Sequence, residues 1–146
     1  MTFYFDAPID HFDNHGAGSP TYKMRYLVNV DHFKDRTGPI IFYTGNEGDI
    51  WTFYENSGFM RETLAEQFGA VTIWAEHRYF GDSMPFGSNS FDRDNLKYLT
   101  VEQAMNDFTD LIKELKFSQG LKDRAVIVGG GSYGGMLSAW MRMKYP

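Results

Sequence analysis

The chain has 146 residues, of which 42% are hydrophobic, 23% charged and 17% aromatic, proportions that fit a single globular domain with ample material for a core. It carries 14 basic against 19 acidic residues, a net charge of −5 without a basic run, so it lacks the electrostatic footprint of a nucleic-acid binder. The absence of cysteine excludes disulfides, thiolate metal sites and a cysteine nucleophile, and no apolar stretch approaches the length needed to span a membrane.

The first residues, MTFYFDAPIDHFDNHG, place acids where a signal peptide needs a basic region and an apolar run, and no N-x-Ser/Thr acceptor occurs in the chain. Residues 2–12 read as a strand, and the Gly/Asn/Ser-rich DNHGAGSP turns the chain into a second, 21–33. There Tyr22, Met24, Tyr26, Val28 and Val30 alternate with polar partners, the pattern of a half-buried strand. PIIFYTG (39–45) is a continuous apolar run of the kind buried on both faces of a parallel sheet.

Helical spacing follows in GFMRETLAEQFG, with Phe59, Met60, Thr63, Leu64 and Phe68 on one face. AVTIWAEHR (70–78) is the next apolar strand, and a long Gly/Ser/Asp/Asn-rich loop leaves it. LTVEQAMNDFTDLIKELKF is the clearest helix. Thr100 and Gln103 have capping-box spacing, and Val101, Ala104, Met105, Phe108, Leu111, Ile112 and Leu115 form its apolar stripe. RAVIVGG gives a last strand at about 125–129, and a helix from about 134 runs toward Pro146. From residue 39 strands and helices alternate. That order predicts an α/β fold with a parallel sheet, extended antiparallel on one edge by the two N-terminal strands.

Gly130-Gly131-Ser132-Tyr133-Gly134 fits G-x-S-x-G at a strand-to-helix junction, the setting of a nucleophile elbow. The strained turn needs small neighbours, which Gly130 and Gly134 supply, and its helix N-terminus points the Tyr133 N–H at a developing oxyanion. A phosphate-binding loop is the competing reading, but GGGSYGGM lacks the lysine of a P-loop. A second oxyanion donor is expected from YTGNEGDI (43–50), at the N–H of Asn46 or Glu47. A plain glycine turn with Asp49 capping a helix accounts for the same residues.

AEHRYFGDS places Glu76, His77, Arg78 and Asp82 at the end of a strand, where open α/β sheets build their sites. His77 as a base oriented by Asp82 runs against the Ser, Asp, His chain order of this fold class. A Glu76–His77–Arg78 ionic cluster bordering the site is the preferred reading. His11, His15 and His32 are expected to be exposed, and neither a metal nor a cofactor is called for.

PIDHF, RYLVN, IIFYTGNEGDI, NSGFM, AEHRYFGDSMPFG, LTVEQAMNDFTDLI and GGSYGGMLSAWMRMKYP, in this order, resemble the S28 serine peptidases. The resemblance covers nearly the whole chain. It implies an α/β-hydrolase peptidase that cleaves on the carboxyl side of proline in a peptide substrate, lysosomal or secreted, with Ser132 as nucleophile and Tyr133 as an oxyanion donor. The family's cap domain, catalytic Asp and catalytic His follow the region that this chain matches. Residues 1–146 are therefore expected to be a partial hydrolase domain, sheet and elbow helix, inactive by itself and prone to associate. Three alternatives stay open at this point: a non-catalytic binding module, dipeptidyl-peptidase instead of carboxypeptidase activity, and a lipase or esterase on the same fold. Oligomeric state is open as well.

Overall fold

The computed structural model describes residues 1–13 and 18–146; His15 lies outside the described residues. Strands β1 (Thr2–Pro8), β2 (Thr21–Asn29), β3 (Ile40–Thr44), β4 (Val71–Ala75) and β5 (Val126–Gly129) form one sheet in the order β1-β2-β4-β3-β5. β3 runs parallel to both β4 and β5, whereas β1–β2 and β2–β4 are antiparallel. The expected mixed α/β sheet is present, with β3 between β4 and β5.

β3 and β4 are buried at every position because helices cover both faces. On one side, Phe108, Leu111 and Leu115 of α3 (Val101–Ser118) and Leu137 and Met141 of α4 (Ser132–Lys144) pack on Ile40, Phe42, Val71 and Ile73. The other face is closed by Ile50, Phe53 and Tyr54 of α1 (Ile50–Asn56), which pack with Tyr43, Trp74 and Leu27. Each large side chain so buried contributes about 1.5–3 kcal/mol relative to exposure.

Several local readings need correction. β2 alternates as expected over Thr21–Met24 but not beyond: Arg25 and Leu27, on its supposedly polar face, are also buried, Arg25 against Glu76 and Leu27 in the cluster with Ile50 and Trp74. The alternative reading of YTGNEGDI holds at Asp49, whose carboxylate accepts from the Trp51 N–H and caps α1. The 58–69 stripe fails because residues Phe59–Leu64 wind as a π-helix before α2 (Ala65–Phe68). The wider turn breaks the 3.6-residue register, so Phe59 and Phe68 face solvent.

Thr100 caps α3 through the Gln103 N–H, but Gln103 does not complete a capping box. Its side chain instead holds the segment after β1, donating to Asp10 and accepting from the His11 N–H.

Candidate active site

The chain leaves β5 through Gly130 and Gly131 and enters α4 at Ser132, two residues earlier than the sequence pattern suggests. Ser132 is exposed and has φ +51°, a left-handed conformation costing a non-glycine residue about 1–3 kcal/mol.

Packing around the turn explains its glycines. A β-carbon on Gly130 would lie 2.7 Å from both Thr44 Oγ1 and the Gly134 backbone. One on Gly134 would run into the Thr44 carbonyl oxygen and sit 3.3 Å from Asn46. The end of β3 is thus laid directly against the first turn of α4, and the Thr44 hydroxyl, 2.6 Å from the Gly134 carbonyl, donates to it.

Backbone N–H groups without a backbone acceptor lie on both segments that meet here. Among the described residues, the N–H groups of Asn46, Glu47 and Tyr133 donate to no backbone carbonyl. Those of Asn46 and Glu47 belong to the loop leaving β3, and that of Tyr133 to the orphan set at the start of a helix. Asn46 Oδ1 is also buried without a hydrogen-bond partner, and unsatisfied polar atoms of this kind concentrate at functional sites.

The loop after β3 is fixed from behind by a buried ion network. Arg25 on β2 reaches Glu76 at 2.6 Å, Asp49 at 2.8 Å and Asp82 at 2.8 Å. Glu76 accepts as well from the Ile50 N–H, the Asp82 and Ser83 N–H groups and the Ser83 hydroxyl. One fully buried carboxylate therefore ties the start of α1 to the loop after β4. Burial pushes the Asp49 carboxyl up, but the Arg25 hydrogen bond and the Trp51 N–H outweigh it and hold it below its ordinary value.

Gly81 is required in that network. It has φ +54°, and a β-carbon there would collide with the Glu76 carboxylate.

The Glu76–His77–Arg78 cluster does not form as expected. Glu76 and Arg78 are completely buried behind the site and join separate ion pairs. Arg78 binds Asp107 of α3 with two nitrogens, at 2.7 and 2.8 Å, and donates further to the carbonyls of Pro8, Ile9 and Tyr98. The Tyr22 hydroxyl and the His11 ring, both at 2.7 Å, complete the surroundings of Asp107. The His11 side chain, 6% exposed, is therefore buried, contrary to expectation; among its neighbours is also Asp110, at 3.4 Å.

His77 alone of the three reaches the elbow, and it reaches Tyr133 instead of Ser132. Its Nε2 lies 3.0 Å from the Tyr133 hydroxyl, and its Nδ1 lies 2.7 Å from the Arg78 carbonyl. Burial lowers the His77 pKa, disfavouring the charged ring. Burial likewise raises the Tyr133 phenol, with Glu47 and Glu102 adding to the effect. Among the described residues no histidine is hydrogen-bonded to Ser132, and no group of three His, Asp or Glu side chains is placed to hold a metal ion.

Ser132, Tyr133, Gly130, Gly134 and Asn46 are thus brought together, with Glu47 exposed on the adjoining loop. Sequence reasoning missed Thr44, Arg25 and Asp107. Asp107 had left a signal: it falls on the apolar stripe of α3, between Ala104 and Leu111, where a charge must be paired.

Residues 7–146 match the family described as serine carboxypeptidase S28. The chain is 52% identical over 145 residues to the lysosomal Pro-X carboxypeptidases of Mus musculus and of Homo sapiens, an alignment covering 98% of this chain and 29% of each relative. It is 45% identical over 146 residues to prolyl carboxy peptidase like protein 5 of Caenorhabditis elegans, covering 98% of this chain and 28% of that protein. The chain thus spans less than a third of the length of these relatives.

Proposed function

The chain belongs to the serine carboxypeptidase S28 family, and from that premise we propose that it forms the nucleophile-bearing part of a lysosomal serine peptidase cleaving on the carboxyl side of proline. The observation that carries this reading is the exposed Ser132 at φ +51° between β5 and α4, with the end of β3 and Asn46 laid against the same turn.

Ser132 Oγ attacks the carbonyl carbon of the scissile bond. Its proton passes to a histidine oriented by an aspartate, both in the part of the relatives' length that this chain does not span. The tetrahedral oxyanion accepts from the Tyr133 N–H and from Asn46 or Glu47 across the turn. Collapse breaks the C–N bond, the histidine returns its proton to the leaving amine, and water then hydrolyses the acyl-enzyme. Residues 1–146 act in this scheme as one portion of the catalytic domain, and the chemistry needs no metal or cofactor.

Proline specificity and the lysosomal setting are supported by the names of the relatives at 52% identity. The test is to give the full-length protein a blocked Pro-Phe dipeptide and a free-amino X-Pro-Y peptide at acidic pH. Release of the residue after proline from the blocked substrate supports the carboxypeptidase reading. Cleavage only of the free-amino peptide, releasing X-Pro, replaces it with a dipeptidyl-peptidase.

A further inference from the structure

We infer that His77 is a positioning residue for the elbow, acting through the Tyr133 hydroxyl; the inference rests on Ser132 being the nucleophile. The direction of the bond follows from proton counting. A carbonyl oxygen can only accept, so Nδ1, 2.7 Å from the Arg78 carbonyl, carries the ring proton. In a neutral imidazole Nε2 is then the acceptor, and the Tyr133 hydroxyl, 3.0 Å away, donates to it. The phenol proton is directed at His77, so Tyr133 offers the site its backbone N–H and not its hydroxyl.

The ring is itself enclosed. His77 is 1% exposed and packs edge-on to Phe80 and Phe108, with centroids 5.5 and 6.3 Å away. Its neighbour Arg78 is anchored by Asp107 and three backbone carbonyls. On the other flank of the turn, Thr44 holds the Gly134 carbonyl.

The Ser132-Tyr133-Gly134 segment is thereby gripped from two strands, by His77 past the end of β4 and by Thr44 at the end of β3. That grip opposes relaxation of the left-handed Ser132. An oxyanion donor displaced by a fraction of an ångström forfeits transition-state stabilisation while ground-state binding is retained.

The experiment uses the full-length protein with a blocked Pro-Phe substrate, comparing Tyr133→Phe, His77→Phe, the double variant and His77→Gln, with Ser132→Ala alongside. Loss of this one bond is expected to lower kcat about tenfold in each single variant, with KM unchanged. The double variant should be no slower than the slower single, and His77→Gln, whose amide oxygen can accept from Tyr133, should recover most of the rate. Tyr133→Phe tests the bond from its half-buried side should His77→Phe fold poorly. Tyr133→Phe within twofold of the parent, losses that multiply in the double variant, or a loss confined to KM each overturns the inference while leaving Ser132 as nucleophile. Undiminished turnover by Ser132→Ala overturns the underlying reading itself.

Discussion

Glu76 accepts an ion pair from Arg25 at 2.6 Å inside the protein, and through it the loop carrying Asn46 and Glu47 is joined to the loop after β4. A pair this deeply buried has exchanged water for its partner, so removing one member strands the other. Glu76→Ala is expected to destabilise the fold by about 3–5 kcal/mol, against a total margin of about 5–15 kcal/mol. Urea unfolding measures it. A loss below about 1 kcal/mol shows that the network is solvated and that the loop is held by something else.

The two buried histidines should give opposite pH dependences. Burial disfavours the His11 imidazolium, but hydrogen bonds to Asp107 and Asp110 outweigh it and raise the His11 pKa. Its contribution is thus fully present below the unfolded value of 6.5 and is lost as pH rises through the folded value. His77 is depressed by burial, so folding opposes its protonation and stability is lost as pH falls below 6.5. Melting curves of His11→Gln against the parent between pH 5 and 8 should therefore differ most at the acid end. A difference independent of pH contradicts the charged latch.

The glycines of the turn should be intolerant in a specific way. Alanine at Gly130 puts a methyl group 2.7 Å from Thr44 Oγ1 and from the Gly134 backbone, so the contact between β3 and α4 must open. The expected cost is about 1–3 kcal/mol in stability together with a fall in kcat. Gly87 also has a positive φ, +55°, but has nothing within 4 Å, so Gly87→Ala should strain its own backbone and leave kcat alone. Equal effects on kcat from the two substitutions disprove the close-approach account.

Much of this was legible in the chain itself. The continuous apolar runs IIFYT and VTIWA announced interior strands that pair in parallel with each other, and GGSYGG after an apolar run announced a strand-to-helix turn. What escaped has identifiable physical causes. The π-helical turn at 59–64 left no mark distinguishable from an α-helical stripe. Arg25 occupied a polar position of an alternating strand, which reads as solvent-facing unless its buried partner Glu76, 51 residues away, is known. Glu76, His77 and Arg78 are adjacent in sequence and were expected to act together, yet their side chains meet three different partners.

Residues 1–146 by themselves should lack peptidase activity. The imidazole nearest the elbow, His77, has both nitrogens committed to Arg78 and Tyr133, leaving Ser132 without a base among the described residues. Assay of the 146-residue chain on Pro-Phe substrates should give no turnover above that of its Ser132→Ala variant. Turnover abolished by that substitution means that a base within the chain reaches Ser132.

The central claim is that Ser132 is the nucleophile of a proline-directed serine peptidase, and the most direct measurement is kcat of the full-length protein with and without Ser132→Ala. The substitution removes only the hydroxyl at an exposed position, so the thermal melt should hold while kcat falls about 10⁶-fold, the scale seen when a triad nucleophile is deleted. A well-folded Ser132→Ala protein that still releases the residue after proline at more than a few per cent of the parental rate would contradict the claim.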